Sequence, residues 1–176
     1  MTGLDRTTVR PGSGTYWSRR LARLTANPAG AIYGTILATA VMGASGTHDE
    51  PIVRITVLTV VTLLVFWLAH VYAEILAHRF QHGRFRFAVV RAAMASQLTM
   101  VEAPVLSIVF LLLGVVGLLH YQVAIGLALA NGVAQLLGWG IVVARRLGWS
   151  WPASLGSGLV DASFGGVIIL LEALLH

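Results

Sequence analysis

Five mainly apolar stretches divide this chain, at about 28–46, 52–78, 97–120, 121–144 and 152–175. Each has the length an α-helix needs to cross a hydrocarbon core about 30 Å thick, at about 1.5 Å per residue. Lipid offers no hydrogen-bond partner to a backbone N–H or C=O, so such segments must satisfy these groups internally, as a helix does within itself. The expected fold is therefore all-α: a polytopic membrane helix bundle with five transmembrane helices within residues 27–176, preceded by an arm at 1–26. Composition agrees, since 57% of the residues are apolar and only 11% charged, against about 25% charged in soluble domains. What remains outside the spans is too short for a separate soluble domain.

The placement of basic residues predicts orientation. All twelve are arginine, which leaves no lysine for Schiff-base chemistry. Arg6, Arg10, Arg19, Arg20 and Arg23 precede the first span, Arg79, Arg84, Arg86 and Arg91 lie between the second and third, and Arg145 and Arg146 follow the fourth. If the spans alternate, these fall on one side and Arg54 alone on the other. The positive-inside rule then puts the N-terminus in the cytoplasm and the C-terminus outside, in a multi-pass protein of the inner (cell) membrane. The net charge of +5 is thereby read as an orientation signal, and no nucleic-acid partner is expected.

The first 26 residues carry no cleavable signal pattern. Within them Trp17, Leu21 and Leu24 recur at helical spacing opposite Arg19, Arg20 and Arg23, which predicts a short amphipathic interfacial helix anchored on the lipid bilayer. Trp149 and Trp151, just before Pro152, suit the aromatic belt at the same face. The region from Phe85 to His120 is too long for one perpendicular helix. Its first part is expected to lie at the interface, and Pro104, which cannot donate to the Met100 carbonyl, predicts a kink near Glu102. The short connection at His120 and Tyr121 predicts that the third and fourth spans are antiparallel neighbours.

Small residues repeat every four positions at Gly30, Gly34 and Ala38, at Gly126, Ala130, Ala134 and Gly138, and at Gly158, Ala162 and Gly166. Such faces let helix backbones approach closely. Packing within one subunit uses some of them, and a homo-oligomer is expected to use the rest.

Functional residues are sought where polar groups enter lipid. In the second span Thr62, His70, Glu74, His78 and His82 are separated by multiples of four, so they form one slowly drifting stripe on one helix face. Counting from the cytoplasmic ends places His70, Glu74, Glu102 and Asp161 at comparable depth, with Gln135 and Asn131 on the fourth span reaching the same layer. Ionisable groups at that depth are costly and mark ion pathways, proton relays or buried pairs. His78 and His82 are read as interfacial, Glu172 as a wet outer end, the His48, Asp49 and Glu50 run as a solvated turn, and His120 as an outer cap.

Three functions fit this layer. The leading one is a cation channel or transporter, for protons or a divalent metal, with His70, Glu74, Glu102, Asp161, Gln135 and Asn131 as the transport or relay residues. In the metal form, His70, Glu74, Glu102 and Asp161 are the ligands, since the chain has no cysteine and oxygen with imidazole suits Mn, Fe or Zn. The second is an intramembrane enzyme whose metal activates water or a lipid substrate. The third is a structural or regulatory subunit of a larger membrane complex. Against all three stands simple packing, in which His70 and Glu74 bond to each other and to Gln135 or Asp161. No zinc-protease, phosphate-loop or nucleophile-elbow pattern is present in the sequence.

Overall fold

The structure, a computed structural model, describes residues 27–45, 50–82 and 87–175, apart from the side chains of 81, 82, 172, 173 and 175. The expected amphipathic helix carrying Trp17, Arg19, Arg20 and Arg23 lies outside these residues. So do His48, Asp49, Arg84 and Arg86, and the side chains of His82 and Glu172. Among the described residues every regular element is a helix: α1 (Pro28–Ser45), α2 (Ile52–His82), α3 (Phe87–Gln97), α4 (Thr99–Glu102), α5 (Val105–Val115), α6 (Tyr121–Arg146) and α7 (Trp151–Leu175).

Local chemistry sets several of these boundaries. Asn27 caps α1, its Oδ1 accepting the Gly30 N–H at 3.0 Å, while Pro28 takes the first helical position, where its missing N–H costs nothing. At the end of α6, Gly148 adopts φ of +78°, which lets the Trp149 N–H reach back to the Ala144 carbonyl at 3.1 Å. Arg145 donates to the Trp149 carbonyl at 3.0 Å and lies 5.3 Å from the centre of the Trp151 ring, a cation over an aromatic face.

Four helices, α1, α2, α6 and α7, are long and apolar enough to cross a membrane. The segments Phe87–Glu102 and Val105–Val115 pass the same test together, bent by 55°, and make a fifth span if counted as one. The bend falls at the expected proline. The chain stays helical from Phe87 through Glu102 with a single turn residue at Leu98, and the direction changes at Ala103 and Pro104, beside Glu102 as expected, because Pro104 has no N–H to continue the helix.

α1 holds the bundle together, packing against α2, α4, α6 and α7. It is also the most buried of the four long spans. Its small residues explain both facts. Gly34 lies against the backbone of α4, and a Cβ there would stand 2.8 Å from the Met100 carbonyl carbon and closer still to its oxygen. Gly30 lies against Thr99 and Asn27. Ala38 joins Met42, Ile55, Leu63, Leu111 and Ala128 in the core between α1, α2, α5 and α6. Thr35, Thr39, Thr56 and Thr59 are buried with their hydroxyls bonded to the carbonyl four residues back, at 2.8–2.9 Å, so they enter the core without an unmet donor.

α5 and α6 are antiparallel neighbours as expected, with Ser107 beside Ala128 and Asn131 at one level and Gly114 beside Ala124 at another. The α6 and α7 pair has the largest contact in the molecule, through Gly140 against Gly158 and Gly165 against Val133 and Leu136. By contrast a Cβ at Gly126, Gly138 or Gly166 would meet nothing within 4 Å among the described residues, and Ala130 and Ala134 are exposed. Large apolar side chains such as Val61, Val65, Leu68, Leu159 and Leu170 face outward. That surface suits lipid rather than water.

Candidate functional site

Where α1 begins, α2 is two-thirds complete and α3 gives way to α4, polar groups from all four helices converge. His70 and Glu74 stand one turn apart on α2. His70 Nδ1 lies 2.9 Å from the Phe66 carbonyl oxygen. A carbonyl can only accept, so this nitrogen carries the proton and, in the neutral ring, Nε2 presents a lone pair. The Tyr33 ring of α1 sits 5.6 Å from the His70 ring at 57°, a tilted aromatic contact.

Glu74 reaches the other way, to α3. Its Oε2 accepts from Ser96 Oγ at 2.9 Å and from Gln97 Nε2 at 2.9 Å. Ser96 Oγ is also 2.9 Å from the Ala93 carbonyl oxygen, so the one hydroxyl proton has two acceptors within reach. The Ser96 carbonyl in turn accepts from Asn27 Nδ2 at 3.1 Å. Asn27 thus caps α1 with one end of its amide and ties it to α3 with the other.

Asn27, Ala29, Gly30, Tyr33, His70, Gln97 and Met100 line a half-open cleft of about 240 Å³ beside this network. Gln97 links the two, facing the cleft while holding Glu74. Behind Gly30 the Thr99 hydroxyl is buried with no hydrogen-bond partner among the described residues.

The other expected members of the layer lie elsewhere. Gln135 Oε1 is 3.3 Å from the Thr35 hydroxyl, joining α6 to α1. Asn131 donates to Ser107 Oγ at 2.8 Å, and Ser107 donates to the Ala128 carbonyl at 3.0 Å, joining α6 to α5. Asp161 lies in the seam of α6 and α7, where a Cβ on Gly140 would come within 2.6 Å of its Oδ2. Glu102 ends α4, half-buried. The Met100 carbonyl, to which Pro104 cannot donate, is covered by Gly34.

Equal depth therefore does not bring these side chains together. The long helices place them at different angles around the bundle, and α1 runs between α2 on one side and α6 with α7 on the other. Among the described residues, no three His, Asp or Glu side chains gather closely enough to share one metal ion, so His70, Glu74, Glu102 and Asp161 do not form one ligand set. His70 and Glu74 also do not bond to Gln135 or Asp161; their partners are Phe66, Tyr33, Ser96 and Gln97.

Asn27, Tyr33, Ser96 and Gln97 were not marked out by the sequence. Ser96 and Gln97 sit at the anticipated start of a span and resemble ordinary boundary residues, and Asn27 before Pro28 resembles an ordinary cap. Asn27, Ser96 and Gln97 share a signal of position, since each falls at the end of a helix adjoining the level of Glu74, whereas Tyr33 sits in the second turn of α1. No protein-family model, curated protein or solved structure matches the chain.

Proposed function

We propose that this protein moves cations across the inner membrane, with the proton as the ion handled at Glu74. The observation that carries this reading is the double reach of the Ser96 hydroxyl, to Glu74 Oε2 and to the Ala93 carbonyl, both at 2.9 Å. When Glu74 is ionised, Ser96 donates to it. When Glu74 is protonated, its O–H donates to Ser96 Oγ, and Ser96 turns its own proton to Ala93. Both states keep the half-buried Glu74 Oε2 hydrogen-bonded to Ser96 with no movement of heavy atoms. The N-terminus is taken to be cytoplasmic, which opens the cleft in the inner half of the bilayer, and His70 Nε2 supplies the proton acceptor nearest the cleft.

Purified protein in vesicles loaded with a pH-sensitive dye is expected to dissipate an imposed proton gradient. Ser96→Ala should slow it about tenfold, because a hydrogen bond to a charged group contributes roughly 1.5–3 kcal/mol. A wild-type protein no faster than empty vesicles would overturn the reading.

Pairing of two copies through α6 accompanies this proposal. Gly126, Ala130, Ala134 and Gly138 leave an outward row of small residues that no helix covers among the described residues, the kind of face on which two helices approach closely. Cysteines placed at Ala130 and Ala134 in this cysteine-free chain should cross-link into dimers in native membranes. Exclusively monomeric protein at both positions would reject the pairing.

A further inference from the structure

We infer that the turn between α6 and α7 binds an anionic phospholipid, with Arg145 on its phosphate and Leu147, Trp149 and Trp151 against the upper part of its acyl chains. The site shares no residue with the Glu74 network and stands whether or not the protein moves protons. No acidic residue occurs in the sequence between Glu102 and Asp161, and within that stretch Arg145 and Arg146 close α6. Basic residues in a last turn are common, since they face the negative end of the helix dipole. Arg145 is distinguished by being held in place.

Two contacts hold it. Its Nη1 donates to the Trp149 carbonyl at 3.0 Å, and its guanidinium carbon stands 5.3 Å from the centre of the Trp151 ring. Gly148, at φ of +78°, turns the chain back directly after the helix, with the Trp149 N–H on the Ala144 carbonyl at 3.1 Å, and so keeps both partners beside the arginine. The Trp149 bond takes one of the five N–H groups of a guanidinium, and Arg145 remains exposed. An arginine ordered in advance loses less rotamer freedom when a ligand arrives. Its planar fork matches two oxygens of a phosphate.

The neighbours decide what carries that phosphate. Leu147, Trp149 and Trp151 are 67%, 49% and 60% exposed, a large apolar surface around one cation. Both α6 and α7 are long and apolar enough to cross a membrane, so the turn joining them stands where headgroups meet acyl chains, the level that tryptophan favours. A free phosphate would use the arginine and leave the apolar surface wet. A phospholipid uses both. Net charge then separates the lipids, because phosphatidylcholine brings a quaternary ammonium beside the guanidinium, whereas phosphatidylglycerol brings an uncharged glycerol and keeps its negative charge for the arginine.

The test uses the full chain, stripped of lipid in a non-ionic detergent, with bound lipid counted by native mass spectrometry as phosphatidylglycerol or phosphatidylcholine of identical acyl chains is added. A first phosphatidylglycerol is expected to bind about fivefold or more tighter than phosphatidylcholine, the scale of one basic residue acting on an anionic lipid. Arg145→Gln should remove most of that preference, and Trp151→Leu, which deletes the ring beside the guanidinium, should reduce it. Arg91→Gln, at an exposed arginine on α3, should leave it unchanged. Water-soluble glycerophosphoglycerol, the same headgroup without acyl chains, should fail to displace the lipid at equal concentration. Equal binding of the two lipids by the wild-type protein would overturn the inference without any variant having to fold. Equal losses in Arg145→Gln and Arg91→Gln would overturn it as well, by showing diffuse surface charge in place of a site, and so would displacement by glycerophosphoglycerol, by showing a site for soluble anions.

Discussion

Glu74→Gln is expected to bring proton flux in vesicles down to the level of empty vesicles, a loss of about 100-fold or more, as is typical when a proton-transfer group is removed. The substitution is nearly isosteric. The amide oxygen of Gln can still accept from Ser96 Oγ and Gln97 Nε2, which donate to Glu74 Oε2 at 2.9 Å, so the α2 to α3 junction retains its bonds and the melting temperature should stay close to wild type. The property removed is the ability to gain and lose a proton under the Ser96 hydroxyl. Glu74→Asp keeps that ability but draws the carboxylate back by one methylene, out of good geometry with both donors, and should give a flux between the two. Full flux in Glu74→Gln with an intact melt would remove Glu74 from the pathway and with it the proposed function.

How far the residues foretell this site depends on the kind of signal. Segments that must span lipid are legible because apolar length is a one-dimensional property: the expected 28–46, 52–78, 121–144 and 152–175 meet α1, α2, α6 and α7 within two residues at most ends, and the long α2 runs on to His82. Pro104 is legible for the same reason, since a missing N–H acts at its own position in the chain. Depth along a helix is also one-dimensional, and His70 and Glu74 do lie at a polar site. The angular position of a residue around the bundle is not. Asp161 shares their level by count, yet faces Gly140 across the seam of α6 and α7, because the close approach of glycines in those two helices sets which side of α7 turns inward. Gln135 and Asn131 likewise face α1 and α5. The residues that complete the site, Ser96, Gln97 and Asn27, are helix-end residues whose partners depend on where α3 is delivered after a connection whose course no periodicity encodes.

The close approach of α4 to α1 turns on the contact at Gly34, which makes Gly34→Leu the substitution with the largest expected effect on the fold. Pro104 cannot donate to the Met100 carbonyl, so that oxygen leaves the helical ladder and turns to α1, where the hydrogen standing in for a side chain on Gly34 points toward it. A Cα–H to carbonyl contact of this kind contributes little by itself, about 0.5–1 kcal/mol. Its importance is geometric, because any side chain at this position meets backbone rather than the movable end of a side chain. Overpacking in a well-packed core costs about 1–3 kcal/mol even where side chains can yield, and here α1 and α4 must separate. The separation would pull Asn27 from the Ser96 carbonyl and Tyr33 from His70, at present 3.1 Å and 5.6 Å apart, and would open the cleft along its α1 wall. Gly34→Leu should therefore lower stability by about 3 kcal/mol or more in a detergent melt and abolish proton flux. Gly34→Ala should do the same to a lesser degree, since its single methyl still falls within contact of the Met100 carbonyl. At Gly138, where a Cβ would meet nothing within 4 Å among the described residues, the same glycine-to-alanine change should leave the monomer's melt unchanged or slightly raised, as expected when a helix-interior glycine gains a methyl without a clash. A Gly34→Leu protein that melts like wild type would show that α4 reaches the site without leaning on α1, and the coupling of the proline kink to the cleft would then have to be abandoned.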